Sequence, residues 1–366
     1  MRRYLPKNVE EILHWYERYI SPASLIAGFL ADNLFFLRRV DLLVGNILLL
    51  SYLLIAAGGI VLINAIQAGR IRGKVALKVA PFIPVVVQFC FGGLFSGFVS
   101  LYSRSASVAV SWIFVAALAA LLLGNERFTR LYARLPFQIG LYFLALISFL
   151  EFFIPVILRR IGPWIFILSG VVSLTIIAGF MYAMKKLVPQ MWRESGRRAV
   201  VSVGVIFIIF NALYFTNMIP PLPLSLKDAG VYHSVVPQKD GSYVLRGEPL
   251  AWYEQYLNYA PTFHRTKGET VYVWSAVFAP SGLSTEVLHE WQLYDPVQKQ
   301  WETTNTVSFA IFGGRDGGYR GYSKKINPAE GKWRVNVITQ YGHLLGRISL
   351  QVVAVPVPVS LETTKL

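Results

Sequence analysis

Two carboxylates stand inside long apolar runs of the sequence, where an ionised side chain is costly. Asp32 lies in the run 22–37 and Glu151 in the run 137–158. A charge in the hydrocarbon layer of a membrane is strongly destabilising unless it meets a partner or water, so both residues are candidates for a functional site. In addition, Pro155 has no N–H to donate to the carbonyl of Glu151, four residues earlier.

Other polar residues map to the same level of these runs. They are Asn33, Asn46 and Asn211 within the runs, and Arg38, Arg39, Arg104, Arg159 and Arg160 at their outer ends. If the runs are neighbouring helices, these residues form a pocket that opens outward, with a cationic rim suited to a phosphate or another anionic lipid headgroup. Two alternatives stay open, because the same groups fit plain helix–helix contacts or a proton relay between the carboxylates.

The composition and the apolar runs indicate that the first part of the chain lies in a membrane. Hydrophobic residues make up 54% of the 366 residues and charged residues 15%, with a mean hydropathy of +0.48, which is too apolar for an ordinary soluble protein. Seven apolar runs approach the roughly 20 residues that a helix needs to cross a bilayer. They are 22–37, 42–66, 79–102, 107–124, 137–158, 162–184 and 199–215. They predict a transmembrane helical domain over residues 22–216.

Two shorter patterns accompany these runs. Residues 1–21 have apolar positions at helical spacing opposite charged ones, which predicts an amphipathic helix in the headgroup plane or a cytosolic helix packed on loops. The stretch Gly93-Leu94-Phe95-Ser96-Gly97 has small residues four apart. Such spacing favours close helix packing, either within the chain or in a homo-oligomer.

The basic residues of the loops predict the orientation. With the N-terminus in the cytoplasm, 16 Lys and Arg fall in inner segments and 5 in outer loops; without a crossing at 22–37 the split is 12 against 9. Cytoplasmic loops carry the positive excess, so seven crossings in a bacterial inner membrane are favoured and the C-terminal part is periplasmic. Residues 1–219 carry 21 Lys and Arg against 8 Asp and Glu, and residues 220–366 carry 14 against 12. The net charge of +15 therefore reflects topology and predicts contact with membrane lipid, and no nucleic-acid partner is expected.

After residue 216 the pattern changes from helical to alternating. A Pro-rich linker over 217–229 precedes residues 230–354, where apolar and polar residues alternate along short runs separated by Gly, Pro and Asp turns. The clearest runs are 271–278 and 287–294; the others are Val231–Val236, Tyr243–Arg246, Thr304–Phe312, Tyr319–Lys324, Trp333–Thr339 and Leu344–Ala354. This pattern predicts an all-β, immunoglobulin-like antiparallel sandwich. Gly313–Gly318 is expected to be a long hairpin turn, and the Pro-rich tail 355–366 is expected to be loose.

Tryptophan and arginine recur together in this part. They are Trp252, Trp274, Trp291, Trp301 and Trp333, with Arg246, Arg315, Arg320, Arg334 and Arg347. Aromatic rings beside Arg on a sheet face can stack on sugars or hold an anionic polymer, while alternating Trp residues also suit a core between sheets. The candidate binding residues are Arg320, Arg334, His289 and Trp291. The scattered histidines and the single Cys90 predict no metal site, disulfide or cofactor.

Four blocks of the C-terminal part resemble the bacterial family known as domain of unknown function 2914. They are His289-Glu290-Trp291, Tyr319-Arg320-Gly321-Tyr322-Ser323-Lys324, Gly331-Lys332-Trp333-Arg334-Val335 and Gly342-His343-Leu344-Leu345-Gly346-Arg347. The resemblance covers roughly residues 245–354 and implies an envelope domain, often following transmembrane helices, without an assigned activity.

The sequence thus predicts a non-enzymatic envelope protein whose periplasmic sandwich binds a glycan, a cell-wall polymer or a protein partner. The alternative is that the membrane part is the active half. It then handles an anionic lipid-linked substrate or transports a small solute through the pocket around Asp32 and Glu151, since seven spans exceed what an anchor requires.

Overall fold

The computed structural model describes residues 41–105, 111–125, 131–249 and 260–366. The helix expected over 1–21, the run 22–37 and the site candidates Asp32, Asn33, Arg38 and Arg39 lie outside the described residues, as does Trp252. The described residues divide into a helical unit, 41–103 with 112–219, and a β-rich unit, Pro220–Leu366 together with Arg104, Ser105 and Ser111.

The described residues form seven α-helices. They are α1 Leu43–Gln67, α2 Lys74–Val79, α3 Ile83–Ser105, α4 Trp112–Gly124, α5 Leu135–Leu158, α6 Pro163–Leu187 and α7 Pro189–Phe215. Proline occupies one of the first two positions of α5, α6 and α7, where its missing N–H removes no helical hydrogen bond. Short 3₁₀ turns, Ala80–Phe82 and Leu131–Ala133, lead into α3 and α5.

Five of these helices are long and apolar enough to cross a membrane, as expected of a membrane protein: α1, α3 with its preceding turn, α5, α6 and α7. The predicted run 107–124 contains the shorter helix α4, which has 13 residues. The seventh predicted span, 22–37, is not among the described residues.

Helix α5 is the centre of the helical unit, because α1, α6 and α7 all pack against it. In the most apolar 18-residue stretch of α5, 67% is buried within the protein, against 17% in the corresponding stretch of α7. The outer helices expose large apolar side chains, among them Leu54, Val171, Val200 and Ile208. An apolar belt of this kind suits lipid and would be an aggregation risk in water.

The Gly93–Gly97 pattern packs helices within the chain. A Cβ at Gly93 would come within 2.5 Å of the Tyr52 ring of α1, so glycine makes room for this ring where α1 contacts α3.

A buried chain of five polar side chains, four of them amides, joins five segments of the helical unit. Asn64 donates to Gln138 Oε1 over 2.6 Å, and Gln138 Nε2 donates to the Tyr132 carbonyl over 2.5 Å. The Tyr132 hydroxyl donates to Asn125 Oδ1, and Asn125 exchanges hydrogen bonds of 2.9 and 3.1 Å with the main chain and side chain of Gln88. All five residues are buried. This network was not predicted, because single amides within apolar runs resemble ordinary packing residues.

Replacing Gln138 with leucine tests the network. The variant leaves Asn64 Nδ2 and the Tyr132 carbonyl without this partner, so we expect the free energy of unfolding of the helical unit to fall by about 1–2 kcal/mol. Equilibrium unfolding in detergent measures the change. Gln190→Leu, at an exposed position of α7, is the matched control, and equal stability of the two variants would contradict the role assigned to Gln138.

The β-rich unit contains eleven strands in its described residues. They are β1 Ser225–Tyr232, β2 Ser234–Pro237, β3 Tyr243–Gly247, β4 Thr262–Arg265, β5 Thr270–Phe278, β6 Ser284–Asp295, β7 Gln300–Phe312, β8 Tyr319–Ile326, β9 Gly331–Thr339, β10 Leu344–Ala354 and β11 Glu362–Lys365. They form three sheets with the orders β1-β5-β8, β4-β10-β9-β6-β7 and β11-β3-β2. All pairs are antiparallel except β4 with β10.

Strand β5 is buried on both faces because its alternate side chains enter two different cores. Val271 and Val273 pack with residues of the five-stranded sheet such as Trp333, in a core between two sheets. Trp274 and Ala276, on the other face, pack with residues of β2 and β3. The sequence predicted paired sheets, and the third sheet, β11-β3-β2, was not predicted.

Two expected boundaries are corrected. Strand β1 begins at Ser225, inside the expected linker 217–229, and pairs with β5. The expectation of a loose tail over 355–366 is wrong, because β11 pairs with β3 and Leu366 exchanges backbone hydrogen bonds of 2.8 and 3.0 Å with Tyr243. The tail's prolines end before β11, so they do not interrupt the edge pairing.

The segment Gly313–Gly318 is also corrected, since it is not a hairpin turn. It connects β7 of the five-stranded sheet to β8 of another sheet. Gly314 and Gly318 have φ angles of +110° and +82°, which favour glycine, and a Cβ at Gly313 would overlap the Pro280 carbonyl.

Truncation after Leu361 tests the docked tail. The Tyr243 amide loses its acceptor on Leu366, so we expect its hydrogen exchange to become about five- to tenfold faster, while amides of β9 keep their protection. The matched control is the double variant T363A/T364A, which alters exposed side chains and keeps the backbone pairing. Unchanged exchange in the truncated chain would show that β11 does not stabilise β3.

Candidate functional site

The outward face of the five-stranded sheet carries a connected set of polar residues. Along β6, His289 and Trp291 point into the core, so Glu290 and Gln292 point outward; along β9, Trp333 and Val335 are buried, and Arg334 and Asn336 alternate with them. We call the following six residues the polar sheet face: Glu290, Gln292, Trp301, Arg334, Asn336 and Arg347. They come from β6, β7, β9 and β10, and cross-strand pairing brings them together, with Glu290 opposite Asn336 and Gln292 opposite Arg334.

Hydrogen bonds connect five of these side chains across three strands. Arg334 Nε donates to Gln292 Oε1 over 2.6 Å, and Arg347 Nε donates to Asn336 Oδ1 over 2.7 Å. Asn336 Nδ2 donates to Glu290 Oε2 over 2.8 Å and to Gln292 Oε1 over 3.2 Å. The network fixes both guanidinium groups without using their Nη atoms.

An aromatic platform adjoins the network. The Arg334 guanidinium lies over the Trp301 ring, 4.3 Å from its centroid, and this cation–π contact orients the guanidinium plane. The Tyr294 ring lies beside Trp301 with centroids 5.2 Å apart. All three side chains are half-buried, so part of each is accessible at the surface. A flat surface of rings and polar groups can stack on a sugar ring.

The electrostatics of the polar sheet face favour an anion. Partial burial lowers the pKa of Arg334, and the neighbouring Arg347 charge lowers it further, while Glu290 opposes both effects. Burial also lowers the pKa of Arg347, again against the effect of Glu290. Two arginines thus share one carboxylate. Within the described part of the chain neither forms an ion pair within 4.0 Å, so their Nη atoms are available for a bidentate anionic ligand.

His289 and Trp291 lie in the core, which corrects the expectation that they bind a ligand. They are 0% and 1% exposed. The His289 ring nitrogens contact Ser275 Oγ at 2.8 Å and Ser323 Oγ at 2.9 Å, and Trp291 Nε1 donates to Ser323 Oγ over 2.9 Å. Burial lowers the pKa of His289 to about 4, so the imidazole is neutral at physiological pH. The cluster satisfies polar groups between two sheets.

The other tryptophan and arginine candidates also differ in position, since some lie in the cores and others at the surface. Trp274 and Trp333 are buried in the two cores, and of the predicted tryptophans described here Trp301 is the one on the polar sheet face. Arg320 donates to the Gly241 carbonyl over 3.4 Å and so braces the turn between β2 and β3. Of the four binding candidates, Arg334 alone lies on the polar sheet face.

The polar candidates of the helical unit make local contacts. Glu151 is buried in α5 with Oε1 unpartnered among the described residues. Asn46 donates to the Leu42 carbonyl over 3.2 Å, and Asn211 to the Phe207 carbonyl over 2.8 Å, each within its own helix segment. The hydrogen bonds of the described residues do not connect these three side chains.

Three of the five arginines of the predicted cationic rim are among the described residues. Arg104 lies in the last turn of α3, and Arg159 and Arg160 follow the end of α5 and are exposed. Arg159 caps α5 in the left-handed conformation, with φ +53°.

A second polar cluster, which was not predicted from the sequence, joins β4 to the segments that follow β1 and β3 and precede β5. His233 contacts Glu269 at 2.5 Å and Glu248 at 3.1 Å, and Glu248 also contacts His264 at 2.7 Å. Burial opposes ionisation of Glu269, but hydrogen bonds from Thr266 and His233 outweigh it and lower its pKa. Over the described ranges, no group of three or more His, Cys, Asp or Glu residues is placed to hold a metal ion.

A known protein family matches part of the β-rich unit. Residues 284–352 match the family described as "Protein of unknown function (DUF2914)". The match confirms the resemblance of the C-terminal part and contains the whole polar sheet face. No curated protein matches the sequence.

One solved structure is similar to the chain at low level. It is the Pseudomonas fluorescens alkylpurine DNA glycosylase AlkC bound to DNA containing an abasic site analog, with 10% sequence identity, 86% of this chain and 100% of that chain covered, and a TM-score of 0.23. A similarity with so low a TM-score carries no inference about fold or function.

The buried His289 predicts a pH-dependent stability. The unfolded chain binds a proton near the ordinary pKa of 6.5, whereas the folded chain does so only near about 4. Between these values the unfolded state binds more protons, so the free energy of unfolding falls as pH falls, by about 2 kcal/mol from about pH 7 to about pH 5. His289→Gln removes this contribution, which hydrogen exchange of β6 amides measures. Equal pH slopes in the two chains would contradict the assignment.

Proposed function

We propose that the chain is a membrane-anchored envelope protein whose polar sheet face binds an acidic polysaccharide or another anionic polymer outside the cytoplasm. One observation carries the proposal: hydrogen bonds hold Arg334 and Arg347, and the Trp301 ring also holds Arg334, while their Nη atoms are available and they share one carboxylate. A fixed guanidinium binds a carboxylate or phosphate in two places at once, and little side-chain entropy is lost on binding.

The shape of the surface favours an extended polymer. The polar sheet face spans four strands, and its rings and amides lie on a sheet surface. Sugars stack on half-exposed aromatic rings, while amide groups such as Gln292 and Asn336 hydrogen-bond hydroxyls. A repeating anionic ligand gains further affinity by engaging both arginines.

The proposal includes the orientation predicted from loop charges. In this proposal, seven spans, counting residues 22–37 and the α4 region, cross a bacterial inner membrane, with the N-terminus in the cytoplasm and the β-rich unit in the periplasm. Within this proposal, the two larger sheets form an immunoglobulin-like sandwich and β11-β3-β2 is an addition to it.

Binding of defined polymers tests the proposed function. The full chain in nanodiscs is titrated with polygalacturonate, inorganic polyphosphate and neutral dextran. We expect a polyanion to bind in a salt-dependent manner and dextran not to bind. Arg334→Ala and Trp301→Ala are each expected to weaken binding about tenfold or more, and Arg334→Lys less, since lysine keeps the charge without the planar fork.

The matched control is Arg246→Ala, which removes an exposed strand arginine from a different sheet. It should bind like the original chain. Equal binding by Arg334→Ala and Arg246→Ala, or equal binding of dextran and the polyanions, would contradict the proposal.

A second candidate function rests on Glu151. This carboxylate is buried in the central helix of the membrane unit, which favours handling of a small solute there. Once ionised, Glu151 disfavours an anionic ligand in direct contact with it, because no counter-charge pairs with it among the described residues. The lipid-linked anionic substrate expected from the sequence is therefore less well supported than a cation.

A further inference from the structure

The contact between α3 and α5 contains three polar side chains in an apolar surrounding. Ser148 and Glu151 are three residues apart on α5 and so lie on one face of the helix. Tyr102 of α3 faces them: its hydroxyl donates to the Ser148 carbonyl over 3.1 Å, within one turn of Glu151 along α5. All three are buried, with Ser148 and Tyr102 at 0% exposure and Glu151 at 7%.

Several oxygen atoms at this place lack a hydrogen-bond partner among the described residues. They include Glu151 Oε1 and Ser148 Oγ, both fully buried. The hydroxyl proton of Tyr102 is used for the Ser148 carbonyl, so its oxygen lone pairs are left for another group. Pro155 has no N–H for the Glu151 carbonyl. The same turn of α5 therefore offers both side-chain and main-chain oxygens.

The surroundings exclude solvent and supply no counter-charge. The rings of Phe98, Phe149 and Phe152 pack together within one turn of these residues along α3 and α5, and Phe114 packs on Tyr102. Within the described residues, no Lys, Arg or His forms an ion pair with Glu151 within 4.0 Å. Leaving buried polar oxygens and a carboxyl group without a partner is costly in a low-dielectric environment.

We propose that Glu151, Ser148 and Tyr102 form a binding site for a small monovalent cation such as Na⁺. Oxygen ligands suit a hard cation, and one carboxylate balances one positive charge. A divalent ion would leave an uncompensated charge in the membrane. When the cation binds, the Glu151 carboxyl group releases its proton to the solvent, so charge is conserved. This inference concerns the helical unit and does not depend on ligand binding at the polar sheet face.

Two measurements on the full chain in nanodiscs test the site. NaCl is exchanged for choline chloride at constant ionic strength. We expect the Tm of the helical unit to rise saturably with Na⁺ and not with choline, because a ligand that binds only the folded state stabilises it. In weakly buffered solution, adding NaCl should release about one proton per chain, since the carboxylate must be deprotonated to bind the cation.

Variants separate the site from general salt effects. Glu151→Gln should abolish both the Na⁺-dependent Tm shift and the proton release. Ser148→Ala should weaken the apparent affinity about tenfold while keeping the proton release at saturation, which provides a test even if Glu151→Gln fails to fold. The matched control is Glu194→Gln, which changes an exposed carboxylate of α7 and should behave like the original chain. Equal Tm values in NaCl and choline chloride would overturn the proposal, as would proton release that persists in Glu151→Gln.

Discussion

The β-rich unit depends on one constraint: strand β5 carries apolar side chains on both faces and must be covered twice. Val273 packs against the five-stranded sheet, and Trp274, its neighbour in sequence, packs against β2 and β3 on the opposite side. Because successive side chains of a strand point to opposite faces, a single partner sheet would leave one half of β5 in water. The third sheet, completed by the C-terminal strand β11, supplies the second cover. The outer face of the five-stranded sheet is then left for polar residues, and there Arg334 and Arg347 lie.

Buried polar groups of the helical unit need hydrogen-bond partners because their surroundings are apolar, and two sets of these groups differ in whether they have them. Asn64 donates to the Gln138 side chain, and Gln138 and Asn125 donate to main-chain carbonyls, so α1 and α5 are joined by paired amides, although Asn64 Oδ1 lacks a partner among the described residues. Around Glu151 and Ser148 the described residues leave oxygens unsatisfied. The first arrangement is typical of a structural contact, and the second is typical of a place where another species binds.

Much of the fold can be predicted from the periodicity of apolar residues in the sequence. Most of the site depends on which residues pair across neighbouring strands. Alternation predicted β10 at Leu344–Ala354 with the bounds that it has, and the family blocks predicted the C-terminal domain. The same alternation places Arg334 and Asn336 on one side of β9. Alternation alone does not show which side of a strand faces water, because both sides repeat every two residues. It therefore did not predict that Arg334 faces outward while His289 faces the core.

Other features could not be predicted from a local sequence pattern, because they depend on strand pairing and on contacts between distant residues. The pairing of β6 with β7 shifts between Trp291 and Gln292, so Trp301 reaches Arg334 only through that irregularity. The short strands β4 and β11 have four residues each, too few to show alternation, and β11 follows a Pro-rich segment. Among the polar residues of the apolar runs, Glu151 was recognisable by its charge, whereas Asn64 and Gln138 become significant only when their contact is seen.

The location of the polar sheet face outside the cytoplasm is the central claim, since envelope polymers lie there. Labelling of Gln298→Cys in a Cys90→Ser background tests it most directly, because this position is exposed in the turn between β6 and β7. A membrane-impermeant maleimide should label it in intact spheroplasts, while Lys186→Cys, at the expected cytoplasmic end of α6, should be labelled only after lysis. Labelling of Gln298→Cys only after lysis would contradict the account.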